Sequence, residues 1–109
     1  MRFVWTTPGE IVFGAGCRSG LVERLRHFGE NPLVVLGSGA RQDWLPEALA
    51  EGGFCPKIWR VCGEPDVEAA QAGAALAIEA GCRWVIACGG GSVLDAGKAV
   101  AALMTNGGD

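Results

Sequence analysis

Hydrophobic residues along this chain fall into short unbroken runs, separated by longer stretches in which they recur every three or four positions. Pro32–Leu36 and Trp84–Cys88 are unbroken apolar runs rich in β-branched residues. That is the pattern of strands covered on both faces. Phe3-Val4-Trp5 and Glu10–Phe13 are two shorter runs joined through Thr7-Pro8-Gly9, which predicts an N-terminal β-hairpin. Lys57–Cys62 alternates, with Ile58, Trp59 and Val61 as its apolar members. Between the strands the period becomes helical. Leu21, Val22, Leu25 and Phe28 share one face of a helix over about 18–28, and Trp44, Leu45, Ala48 and Leu49 one face of a helix ending near Glu51. Val67–Ala80 is an alanine-rich helix, and Val93 to Met104 is apolar on most sides. Gly52-Gly53 and Gly81 read as helix stops, Pro65 as a strand breaker and Asp66 as a helix N-cap. The predicted order is β-β-α-β-α-β-α-β-α. Strands alternating with helices imply an α/β fold, a Rossmann-like doubly wound parallel sheet with right-handed crossovers. The apolar first strand needs a neighbour, at a sheet edge or across a dimer.

The junction after Trp84–Cys88 carries the strongest chemistry. Gly89-Gly90-Gly91 allows positive φ and close approach of a ligand to the backbone. Ser92 reads as the N-cap of the next helix, with Asp95 completing a capping box. A glycine turn feeding a helix N-terminus is an anion site, because unpaired N–H groups and the helix dipole both favour negative charge. Lys98, one turn further in, adds a full charge if it faces the turn. The competing reading is a plain tight turn with Lys98 in a salt bridge. The dinucleotide fingerprint G-x-G-x-x-G is absent, and a P-loop is excluded because five residues separate Gly91 from Gly97 and Ala99 follows Lys98. A second glycine turn, Gly37-Ser38-Gly39, follows Pro32–Leu36. Both turns fall at the carboxyl ends of predicted parallel strands, where ligands of such sheets bind.

The motif Gly89-Gly90-Gly91-Ser92, with Asp95, Lys98 and Ala99 and the following Ala-Leu-Met-Thr-Asn-Gly-Gly-Asp, resembles the iron-containing (group III) alcohol dehydrogenase family. Pro8 to Gly16 is similar to that family's opening hairpin, so the resemblance covers essentially the whole chain. It implies that residues 1–109 are the N-terminal NAD(P)-binding domain of a larger two-domain enzyme. Such enzymes transfer hydride between NAD(P)H and a small alcohol or aldehyde, with Fe(2+) or another divalent metal as Lewis acid. The resemblance assigns Gly89, Gly90, Gly91 and Ser92 to the pyrophosphate, and Asp95 to the nicotinamide side. Gly37 and Ser38 go to the adenosine ribose or its phosphate. The family often has Asp at the position of Gly37, and members with Gly there typically use NADP. Room for a 2′-phosphate, with Ser38 as donor and Arg41 as charge, points the same way, so NADP is favoured over NAD. The family's Asn-Pro is Glu64-Pro65 here, and Glu64 is left out of the site because a carboxylate repels phosphate. The metal ligands of the family, one Asp and several His, lie in a helical C-terminal domain that is absent. This chain alone is therefore expected to be inactive, with no catalytic and no metal-binding residue. The resemblance also implies a homodimer built partly through the hairpin.

Composition narrows the partners. The chain has 109 residues, half of them hydrophobic and 18 of them glycine. Its mean hydropathy of +0.26 is high for one small domain, which suggests surface meant for another domain or subunit. Net charge is −3 without a basic cluster, which argues against nucleic acid. No run reaches the ~20 apolar residues that span a bilayer, and the N-terminus lacks a signal-peptide pattern. Five scattered cysteines (17, 55, 62, 82, 88) form no C-x-x-C pair, consistent with reduced thiols and a cytoplasmic location. Cys62 and Cys88 read as small core residues. The single histidine, His27, follows Glu23 by one helical turn and reads as a surface residue. Two rival readings stand beside the alcohol dehydrogenase one. The first is the equivalent half of a glycerol dehydrogenase or dehydroquinate synthase. The second is a non-catalytic fragment that binds nucleotide or self-associates.

Overall fold

The computed structural model describes residues 2–7, 10–15, 25, 29–39, 43–63 and 66–105. The elements are β1 (Arg2–Thr7), β2 (Glu10–Ala15), β3 (Pro32–Gly37), α1 (Trp44–Glu51), β4 (Lys57–Val61), α2 (Val67–Glu79), β5 (Trp84–Cys88) and α3 (Gly91–Thr105). The helix expected over 18–28 lies outside the described residues, His27 included, except for Leu25, which is helical and fully buried. Cys17, Arg41, Glu64 and Pro65 also lie outside them.

The five strands form one sheet in the order β2-β1-β5-β3-β4. β5, β3 and β4 run parallel. β1 and β2 form the expected hairpin, closed at Thr7↔Glu10. The free side of β1 finds its neighbour inside the chain, pairing antiparallel with β5 from Phe3↔Cys88 to Thr6↔Val85. The α/β class and the doubly wound parallel core are thus present, with the hairpin added on one side.

Side chains of β3 and β5 alternate between two cores, as strand pleating requires. Val34, Leu36, Trp84, Ile86 and Cys88 meet Leu45 and Leu49 of α1, together with Phe54 and Leu25. Leu33, Val35, Val85 and Ala87 meet Ala74 and Ala77 of α2 and Val93, Ala96 and Val100 of α3. The α1 face is built of large side chains. Trp84, 1% exposed, packs edge-to-face on Phe54 at 6.4 Å and donates its indole N–H to the Gly29 carbonyl at 3.0 Å. On the opposite face, small residues such as Ala87, Ala96 and Gly97 let α3 lie close to the sheet. A Cβ on Gly97 would stand 2.7 Å from the Cβ of Ala87.

The helix stops work as read. At the end of α1, Phe54 N–H donates to Leu49 O and Gly53 N–H to Ala50 O. At the end of α2, Cys82 N–H donates to Ala77 O and Gly81 N–H to Ile78 O. Both are Schellman closures around glycines of positive φ, Gly53 at 95° and Gly81 at 76°. Each delivers a buried residue, Phe54 or Cys82, to the core. Asp66 caps α2, accepting from Ala69 N–H at 2.8 Å. Two expectations change. Cys62 is exposed rather than buried, because it follows β4, the outermost parallel strand, whose Ile58 is also exposed. Cys88 is fully buried, as expected. Moreover, α3 starts two residues earlier than a cap at Ser92 implies. Leu94 N–H donates to Gly90 O, so Gly90 caps the helix and Ser92 lies in its first turn.

Candidate functional site

Two features bring the glycine turns together. Leu36 and Cys88 are register partners, so Gly37 and Gly89 leave neighbouring strands at the same level. From there the chain diverges. β3 leads to α1 on one face of the sheet, and β5 leads to α3 on the other. Adjacent parallel strands whose following helices go to opposite faces leave a crevice between them, the topological switch point of an open α/β sheet.

Val93, in the first turn of α3, packs beneath both turns. A Cβ on Gly37 would meet its Cγ2 at 3.5 Å, and one on Gly89 would meet it at 3.1 Å. Of the three consecutive glycines only Gly89 has positive φ, 155°. A side chain at 89 is therefore disfavoured by both backbone and packing. Gly90 and Gly91 are exposed, and a Cβ on either would meet nothing within 4 Å. That open space lies directly at the N-terminus of a 15-residue helix. The first-turn N–H groups of a helix lack intrahelical acceptors, and the dipole adds about half a positive charge there. The arrangement has the chemistry to bind a phosphate or pyrophosphate through backbone alone, so the residues present fit the phosphate portion of a nucleotide.

Ser92 is half-buried beside that space. Asp95 and Lys98 sit further along α3 and face each other, with Lys98 Nζ 3.8 Å from Asp95 Oδ1. Asp95 is 70% exposed and Lys98 40%. The salt bridge weighed against a phosphate role for Lys98 is therefore present, at the loose limit of such contacts. Gly37 ends β3, with Ser38 and Gly39 exposed beyond it.

Sequence reasoning missed one residue here. Arg60 of β4 donates from Nη1 to the carbonyl oxygens of Gly37 (3.1 Å) and Gly39 (3.3 Å), and from Nη2 to Asp43 Oδ1 (2.7 Å). Asp43 precedes α1 but makes no side-chain cap bond, because its carboxylate is turned to Arg60. Nothing local marks Arg60. Only the parallel register, Leu36↔Arg60, places it beside the end of β3.

No three His, Cys, Asp or Glu side chains come together as a metal site among the described residues. No helix of the described residues is long and apolar enough to cross a membrane.

Comparison with known proteins decides the family. A family model described as iron-containing alcohol dehydrogenase matches residues 8–109. The chain belongs to the iron-containing alcohol dehydrogenase family. It is 32% identical to the probable NADH-dependent butanol dehydrogenase 1 of Bacillus subtilis, an alignment covering 99% of this chain and 30% of the relative. It is 36% identical to the NADPH-dependent butanol dehydrogenase of Clostridium saccharobutylicum, over 92% of this chain and 26% of that protein. Against the probable alcohol dehydrogenase EutG of Salmonella typhimurium, identity reaches 48% over 57% of this chain and 16% of the relative. The chain thus spans less than a third of the length of these relatives. No solved structure matches. Membership makes the chain part of an oxidoreductase family that uses a nicotinamide cofactor, iron and an alcohol.

Proposed function

We propose that residues 1–109 form the NAD(P)-binding domain of an alcohol dehydrogenase that transfers hydride between NAD(P)H and a small alcohol or aldehyde. The observation that carries this reading is the placing of two glycine turns side by side across the switch point of the sheet, on neighbouring strands at the same level.

In this reading Gly89, Gly90, Gly91 and Ser92 bind the pyrophosphate. A Cβ on Gly90 or Gly91 would meet nothing within 4 Å, so at the N-terminus of α3 no side chain at these positions obstructs a close approach to the backbone. Gly37 and Ser38 receive the adenosine ribose. The absence of a carboxylate at 37 removes both the partner of a 2′-hydroxyl and the repulsion of a 2′-phosphate, which favours NADP. Relatives named for NADH and for NADPH both occur, so the choice rests on this position. Asp95 lies toward the nicotinamide side. Lys98 offsets its charge and adds positive potential along α3. When bound, the nicotinamide ring supplies the hydride or takes it up. This chain's part is to hold the dinucleotide extended across the strand ends and fix which end faces the substrate. A homodimer in the cytoplasm completes the reading. Light scattering checks the dimer, against which a monomer at high concentration would count.

The decisive experiment is a titration with NADPH and with NADH, read by tryptophan fluorescence. Saturable binding with NADPH tighter than NADH is expected. Tighter NADH keeps the site and overturns the 2′-phosphate argument. Binding of neither overturns the assignment of the two turns in this chain.

A further inference from the structure

Arg60 holds both ends of the Gly37-Ser38-Gly39 turn from a strand that sequence order places 21 to 23 residues away. In a trans peptide the carbonyl and the N–H that follows it point to opposite sides of the chain, and no peptide bond here is cis. Drawing the Gly37 carbonyl onto Arg60 therefore turns the N–H of Ser38 the other way. Two carbonyl oxygens that would repel an anion are thus occupied by a guanidinium, and an amide hydrogen is presented instead. The fork geometry of Arg suits this, since one Nη takes two acceptors while the other takes Asp43. The Arg60–Asp43 pair is about 40% exposed on both sides, and pairs so exposed add little to stability. Its consequence lies in the shape it gives a glycine-rich turn that would otherwise sample many conformations.

We propose that Arg60 is the positioning residue of the adenosine-ribose turn, gathering the carbonyls of Gly37 and Gly39 so that Ser38 faces the ligand as a donor. The inference rests on the nucleotide reading above. It adds that the preference for an acceptor-rich 2′-phosphate is set by a residue that need not touch it. Asp43 opposes that preference by placing a negative charge against the guanidinium.

The test uses two probes on the chain. 2′,5′-ADP reports on the ribose turn, and inorganic pyrophosphate reports on the Gly89–Ser92 turn. Arg60→Ala is expected to weaken 2′,5′-ADP about tenfold, the effect of losing one charge-assisted constraint, while pyrophosphate affinity stays within about twofold of wild type. Arg60→Lys falls between, since an ammonium lacks the fork. Asp43→Asn keeps an acceptor for Arg60 and removes the countercharge, so 2′,5′-ADP is expected to bind about two- to threefold tighter. Equal loss of both probes in Arg60→Ala, in step with a lower melting temperature, indicates a merely structural role and overturns the inference. So does wild-type affinity for 2′,5′-ADP in that variant. If Arg60→Ala does not fold, unchanged 2′,5′-ADP affinity in both Arg60→Lys and Asp43→Asn overturns it. A wild-type chain that binds neither probe overturns the nucleotide reading itself, which is a distinct result.

Discussion

The turn after β5 and the turn after β3 leave adjacent strands at the same level, yet they are held in different ways. Gly89–Ser92 is shaped by its own neighbours. A positive-φ glycine, a helix that begins at once and Val93 packed beneath give it local support. Gly37–Gly39 has no comparable local support. Its Cβ space is ordinary, its φ values are not positive, and its carbonyls are held by Arg60 across the sheet. One turn is therefore a product of short-range geometry and the other of strand register. Damage to α3 or β5 should strike the first, and changes on β4 the second.

The largest effect is expected from Gly97→Ala. The new methyl would meet Ala87 Cβ at 2.7 Å, and neither the strand nor its neighbours can retreat, so α3 must lift. Overpacking of this kind costs about 1–3 kcal/mol, less up to about 1 kcal/mol regained from helix propensity. Urea unfolding reads the loss. Because α3 carries the first turn, pyrophosphate affinity should fall with it, whereas an intact first turn in this variant would break the contrast. Next comes Gly91→Asp. Its side chain enters open space at a helix N-terminus, where an acid is stabilising by about 0.3–1 kcal/mol. Stability should hold or rise while affinity for NADPH falls about tenfold or more, and calorimetry separates the two.

Gly37→Asp probes the second turn. The added Cβ meets Val93 at an ordinary 3.5 Å, so unfolding free energy should change by no more than about 0.5 kcal/mol. The ratio of NADPH to NADH affinity should drop by about tenfold as a carboxylate meets the 2′-phosphate. An unchanged ratio would remove Gly37 from the site. The smallest effect concerns the thiols. Cys55 and Cys62 are exposed, while Cys82 and Cys88 are buried, so brief labelling at pH 8 should mark only the first pair among these four. Burial pushes the Cys82 thiol above its ordinary value, with Lys57 partly offsetting the shift. The unfolded chain then ionises at Cys82 before the native one does. This contribution is full below the ordinary thiol value and should weaken as pH rises past about 8.5, which stability measured against pH will show.

Much of this was legible one residue type at a time. Trp84–Cys88 and Pro32–Leu36 are apolar throughout because both their faces are covered, as in central strands of a sheet with helices on both sides. Gly53 and Gly81 announce their helix ends because few other residues tolerate the φ those ends need. Errors fell where neighbours decide. The sequence of Lys57–Cys62 cannot say that β4 lies outermost, so Cys62 read as core. Ser92 read as a cap because its side chain suits one, whereas backbone geometry placed the helix start at Gly91 and the cap at Gly90.

Sequence by itself therefore determined the elements, their α/β alternation, the glycine turns and the family. Each depends on periodicity or on backbone freedom written into a few consecutive residues. Only the tertiary structure decided that β1 pairs with β5, that the two turns leave neighbouring strands at the same level, and that Arg60 rather than a local residue holds the second of them. Those facts depend on which strands become neighbours and in what register. Register is set by the summed burial of both cores, a property no single stretch of the chain contains.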